Sequence, residues 1–185
     1  IVYIEHPGCD VAEIQLTSFV GAYTDTIPGS LHFYEHLMVR NVKNRLRGID
    51  QDHGLINDNA FTNWHMIAFT GDTTNEGATH LLKAWYEQLS DPLLTPSGFE
   101  SERKIILAEE REKQDRNEYH IQDLRVRCLD PERFWTTIGS ADDIQRLTPD
   151  DIIHSYEAIL DQPLLVAIVG AVRIQDIIGE VSAWH

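Results

Sequence analysis

The sequence predicts a single α+β domain, with helices packed on one face of one sheet. Three observations carry this. "IVYIE" and "VAEIQLTSFVGA" read as two extended segments split by the turn "HPGCD". Helical and extended patterns then succeed one another in the order β-β-α-β-α-α-α-β-α, without the strict alternation of a parallel α/β fold. The chain has 185 residues and 42% hydrophobic content, enough for one core and short for two.

The elements can be justified in order. The second strand shows partial alternation, and "YTDTIPGS" is a loop. Ser30 is placed to cap a helix beginning near Leu31. "KNRLRGIDQDHG" ends that helix and turns. "LINDNAFTNWHMIAFTG" reads as one extended stretch, because Phe61, Thr62, Trp64, Ile67 and Phe69 all favour strand. "TTNEGATHLLKAWYEQLSDP" is helical and is stopped by Pro92. Residues 95–129 read as one long helix, with Thr95 as cap and Pro96 at the first position, where a missing N–H costs nothing. "ADDIQRLT" is a short helical turn, "PDDIIHSYEAIL" a further helix, "PLLVAIVGAV" a buried strand and "RIQDIIGEVSAWH" a closing helix. No repeat, low-complexity segment or linker divides the chain, so residues 1–185 are expected to form one domain.

Composition excludes some classes. The net charge of −15 repels nucleic-acid phosphates. It would attract cationic peptides if the acidic side chains face a cavity. No apolar run approaches membrane-spanning length, and no charged-then-apolar leader opens the chain. The chain begins inside what reads as a strand, so a preceding segment is expected. Cys9 and Cys128 make no disulfide framework, which points to a reducing compartment, the cytoplasm.

The chemistry concentrates in "LHFYEHLMVR", residues 31–40. On a helix each residue advances about 100°, so His32, Glu35 and His36 share one face. Two imidazoles at i and i+4 can grip one metal ion, and the carboxylate between them can reach a metal-bound water. This is the H-x-x-E-H order, the inverse of H-E-x-x-H. A catalytic zinc needs a third protein ligand and an open fourth position. The long helix offers Glu102, Glu109, Glu110 and Glu112. Glu102 and Glu109 lie seven residues apart and share a face, but spacing does not choose among the four. None of the other histidines has a ligand spacing.

The chain resembles the catalytic N-terminal domain of the pitrilysin, insulinase and mitochondrial processing peptidase family, the inverzincins. "GAYTDTIPGSLHFYEHLM", "NDNAFTNWHMIAF", "DPLLTPSGFESERKIILAEE" and "IGSADDIQRLTPDDIIHSYEAIL" followed by "LLVAIVGAV" are each similar to successive pieces of that family. The resemblance implies a mixed, largely antiparallel sheet and a zinc endopeptidase acting on peptides. It implies His32, His36 and Glu109 as Zn²⁺ ligands, Glu35 as general base and Glu102 as the carboxylate that orients a ligand. It also implies that Asn59, Ala60 and Phe61 bind the substrate as an added strand. The segment "LDPERFWTT" departs from the family's small, proline-glycine-containing pattern, so a substrate contact is expected to differ there. The family's second half, source of an arginine and a tyrosine in the closed site, is not recognisable in these residues. A second peptidase half, as another copy or a different chain, is therefore the expected partner. Two other readings are weighed. A non-catalytic subunit of a peptidase complex would be expected to lack ligands that this chain keeps. S-ribosylhomocysteine lyase shares H-x-x-E-H but needs a cysteine ligand, and it leaves the Glu102/Glu109 pair unexplained.

Overall fold

The computed structural model describes residues 1–47, 54–92, 94–129 and 136–184. The chain opens with β1 (Val2–Glu5) and β2 (Val11–Ser18), passes a 3₁₀ turn at Ala22–Thr24, and enters α1 (Ser30–Arg47). Then come β3 (Leu55–Thr62), β4 (Ile67–Thr74), α2 (Ala78–Ser90), α3 (Pro96–Gln114) and α4 (Asn117–Leu129). The chain finishes with α5 (Ala141–Arg146), α6 (Pro149–Leu160), β5 (Leu164–Gly170) and α7 (Ile174–Val181). The five strands form one sheet in the order β1-β5-β2-β4-β3. Among the described residues only β1 and β5 pair in parallel, and the other neighbours are antiparallel. This is the expected α+β architecture.

Period-two alternation sorts the sheet's side chains. Ala12, Ile14, Leu16, Ile67, Phe69, Val166 and Ile168 are buried on the inner face, where α1 and α2 contact the strands. Ile4, Val169 and Glu13 form a cross-strand row on the outer face, and Ile4 and Val169 are exposed there. Helix α1 is buried on nearly every side, through Leu31, Phe33, Tyr34, Leu37, Met38, Val42 and Leu46. It touches α2, α3 and α6 as well as β3 and β4. Such a helix is held rigidly, which suits it to present ligands.

Three local expectations are corrected. The stretch read as one strand is a hairpin. Asn63 Oδ1 accepts from His65 N at 2.8 Å and Met66 N at 3.0 Å, and Asn63 N donates to Met66 O at 2.9 Å. The asparagine side chain thus imitates a backbone turn and overrides the strand preference of Trp64. The long helix breaks at Asp115–Arg116, where Arg116 N turns back to Lys113 O at 3.0 Å. Asp115 and Asn117 favour such local bonds over helix continuation. The third correction concerns the cap of α1. Its acceptor is the Asp25 carboxylate, with Oδ1 taking Leu31 N and Oδ2 taking Gly29 N, both at 3.0 Å. Ser30 is instead buried inside the first turn. Its hydroxyl donates to Asp25 at 3.0 Å and accepts from Ser155 of α6 at 2.9 Å. Thr95 does cap α3, accepting Gly98 N at 3.1 Å. The atypical segment "LDPERFWTT" lies largely outside the described residues.

Two glycines lock the entry to α1. Gly29 has φ +92° and Gly139 has φ +77°. A Cβ on Gly29 would strike the Ile138 carbonyl, and one on Gly139 would strike the Pro28 carbonyl. The loop before α1 and the loop before α5 therefore interlock at a closeness only glycine permits.

Candidate metal and active site

Helix α1 brings His32, Glu35 and His36 to one face, and α3 crosses against it. His32 Nε2 lies 3.8 Å from Glu109 Oε2, and His36 Nε2 lies 3.2 Å from the same oxygen. One donor atom from each of the three falls within 4.8 Å of the others. Among the described residues no other group of histidine, cysteine, aspartate or glutamate is gathered in this way. Neither Cys9 nor Cys128 belongs to it. The structure thus separates the four glutamates that spacing leaves equivalent. Glu109 joins the histidines. Glu102 is buried beside His36, with Oε2 at 3.5 Å from Nδ1. Glu110 is buried on a different side and accepts from Gln114. Glu112 is out on the surface with Arg116 at 2.5 Å.

The donor set suits a borderline-soft divalent ion: two imidazole nitrogens and a carboxylate oxygen. Electrostatics act on each donor differently. Burial and the neighbouring His36 push His32 down to about 3, so its ring is neutral at pH 7 and one of its two nitrogens offers a lone pair. The hydrogen bond from His36 holds Glu109 down to about 2, against burial and with help from Lys113. Burial would lower His36, but the hydrogen bond and charge of Glu109, with Glu35 and Glu102, raise it instead. Burial pushes Glu35 up, partly offset by a hydrogen bond from Thr62. A carboxyl raised toward neutrality suits a group that must take and return a proton.

Three residues beside the site escape sequence reasoning. Thr62 Oγ1, at the end of β3, donates to Glu35 Oε2 at 2.6 Å. Arg40, one turn beyond His36, donates to Glu102 Oε1 at 3.1 Å and to Gly98 O at 2.8 Å. Lys113, one turn beyond Glu109, places Nζ 2.7 Å from Glu109 Oε1. The i+4 offsets of Arg40 and Lys113 are signals a sequence can carry, whereas the Thr62 contact depends on how β3 packs against α1.

A cavity of about 630 Å³ opens beside the cluster, lined by Glu35, His36, Arg40, Lys43, Asn59 and Ala60 among others. Among the described strands β3 forms one edge of the sheet and pairs only with β4. Thr62 bonds Glu35, and Asp58 bonds Lys43 of α1 at 3.1 Å, so by period two Ala60 faces α1 with them. Phe61 takes the opposite face, opposite Ala68, and is 40% exposed. Of the three candidate substrate residues, Asn59 and Ala60 border the cavity, while the side chain of Phe61 points away from the cluster.

A buried helix thus presents two histidines and a glutamate, facing a carboxylate on a crossing helix beside an open sheet edge, and the three donors could hold a metal ion. The chain belongs to the insulinase family, peptidase family M16, whose model matches residues 1–129. No curated protein sequence matches it. Among solved structures it is similar to a protease from Helicobacter pylori, with TM-score 0.78 and 21% identity over 98% of this chain and 46% of that one. It is similar to a mutant of the ferredoxin protease FusC in complex with Arabidopsis ferredoxin, with TM-score 0.84 and 20% identity over 98% of this chain and 22% of that one. It is also similar to a peptidase M16 inactive domain from Pseudomonas fluorescens, with TM-score 0.77 and 13% identity over 97% and 46% of the two chains. The chain spans less than half the length of each of these structures. The family is one of peptidases, and the fold is shared by active and inactive domains alike.

Proposed function

We propose that this domain is the zinc-binding half of an endopeptidase. The observation that carries the reading is the convergence of His32, His36 and Glu109 within 4.8 Å around the base-bearing turn of α1. His32, His36 and Glu109 hold the ion, and Glu102 orients His36 through Nδ1. Bound there, zinc supplies a Lewis acid and an acidified water. Glu35, tethered through Oε2 to Thr62, uses its other oxygen to accept the water's proton and passes it to the leaving amine. The free edge of β3 aligns the peptide by backbone hydrogen bonds, with Asn59 and Ala60 at the cavity rim. The inactive relative is the competing outcome, but a domain that has lost the chemistry has no need to keep four convergent side chains.

The test is zinc content and peptide cleavage measured together. Wild type is expected to bind one zinc, lost in His32→Ala, His36→Ala and Glu109→Gln but retained in Glu110→Gln. Glu35→Gln should keep zinc while cleavage falls by roughly 10²-fold or more. Turnover by Glu35→Gln at the wild-type rate would remove its role. Because the site lies on an open cleft, full activity is expected only with a second half that closes over it and adds donors to the developing oxyanion, each contributing about 10²–10³-fold. Assay of the domain alone and with candidate partner chains, with mass followed in solution, checks this. Full activity from a strict monomer would overturn it.

A further inference from the structure

We infer that Lys113 is a positioning residue of the metal site, occupying Oε1 of Glu109 so that Oε2 alone is offered to the metal. The inference rests on the zinc reading above. The two oxygens of Glu109 face different partners. Oε1 lies 2.7 Å from Lys113 Nζ. Oε2 lies 3.2 Å from His36 Nε2 and 3.8 Å from His32 Nε2. A carboxylate without such a partner can rotate about its terminal torsion and present either oxygen, or both. Two-oxygen binding would take the position that a catalytic site must leave for water. The ammonium prevents this by holding one oxygen on the side away from the histidines.

The competing account is an ordinary surface pair, since a glutamate four residues before a lysine is the favourable helical order, stabilising a helix by about 0.2–0.5 kcal/mol. Two observations argue for more. The pair is short, and its side chains are only 34% and 32% exposed. The carboxylate concerned is the one that faces both histidines. Exposed pairs elsewhere, such as Arg116–Glu112 with side chains 60% and 69% exposed, face no such group of donors. A cation near a metal site also repels the ion. Here Oε1 neutralises the ammonium at contact distance and solvent reaches it, so the orienting effect outweighs the repulsion.

The experiment measures the zinc dissociation constant of the apo-protein by competition with a chromophoric chelator, together with the oxygen ligand number by zinc X-ray absorption. Lys113→Met removes the donor and is expected to weaken zinc by roughly 10- to 100-fold, the usual cost of losing a partner of a metal ligand, and to raise the oxygen count. Lys113→Arg should restore binding to within about 3-fold of wild type, and Lys113→Gln should fall between. Far-ultraviolet circular dichroism of each apo-protein checks folding. Should Lys113→Met fail to fold, the Arg and Gln variants carry the comparison. Unchanged or tighter zinc in Lys113→Met, or in Lys113→Gln if that is the folded variant, would overturn the role of Lys113 while leaving the zinc site standing, provided wild type binds and His36→Ala does not. Absence of zinc from wild type would overturn both.

Discussion

Thr62 leaves Glu35 with one free oxygen. A carboxylate that must receive a proton from one direction gains from having its other oxygen held, and the 2.6 Å bond does this. Thr62→Val keeps the branched shape and removes the donor. A hydrogen bond to a charged group is worth about 1.5–3 kcal/mol. If that is felt in the transition state, kcat falls roughly 10- to 100-fold, with KM and zinc content unchanged, and Thr62→Ser restores most of the loss. Steady-state kinetics with metal analysis check this, and a Val variant with wild-type kcat removes the proposed function of the bond. The residue scale also shows what the sequence can carry. His32, Glu35 and His36 are legible because helical periodicity is local, and three residues on one turn must share a face. Thr62 lies 27 residues from its partner, and nothing local joins them. Glu109 and Glu110 are neighbours in sequence and differ by about 100° of rotation. Periodicity cannot tell which of them faces α1, and the crossing of α3 over α1 decides it.

The helices obey their capping chemistry where the cap is local. Ser140 and Asp143 form a capping box on α5, and Thr148 and Asp151 form one on α6. Ser140→Ala and Thr148→Ala are each expected to cost about 0.5–2 kcal/mol, read by chemical denaturation with unchanged denaturant slope. The box on α5 also has a pH signature. Burial pushes Asp143 up, but the Ser140 hydroxyl and amide and the Arg146 guanidinium outweigh it and hold the carboxyl below the usual carboxylate range. A folded value below the unfolded one stabilises above the unfolded value and ceases to do so as pH falls through the folded one. Asp143→Asn should therefore be less stable than wild type at pH 7, with the difference vanishing in acid. Denaturation at both pH values checks this. The sequence misleads about elements where a side chain intervenes from inside an apparently continuous pattern. Asn63 folds one extended stretch into a hairpin, and Asp115 ends α3 early. The cap of α1 is illegible for a related reason. Asp25 reaches it across a loop closed by Gly29, while Ser30, at the expected position, is turned inward to α6.

At the scale of the molecule, zinc held as proposed would be a ligand of the folded state alone. At a free concentration about 100 times its dissociation constant it should add about 2.7 kcal/mol. For a domain of this size that raises Tm by roughly 5–10 °C, and the rise should be absent in His36→Ala. Calorimetry with and without zinc checks it. The family match ends at residue 129, yet α1 leans on residues beyond that point, through Ser155 against Ser30 and Gly139 against Pro28. A chain cut after residue 129 is expected to lack both cooperative unfolding and zinc binding. The sheet adds a matter of timing. Among the described strands β1 is synthesised before the others, and its neighbour in the sheet is β5, which is synthesised after them. β5 also closes the open side of β2. A ribosome adding about 5–20 residues per second needs roughly 8–32 s to travel from one strand to the other. α6, which packs on α1 and reaches Ser30 through Ser155, also lies late in the chain, just before β5. α1 therefore gains the contacts of α6, and the sheet the pairing of β5, only near the end of that interval.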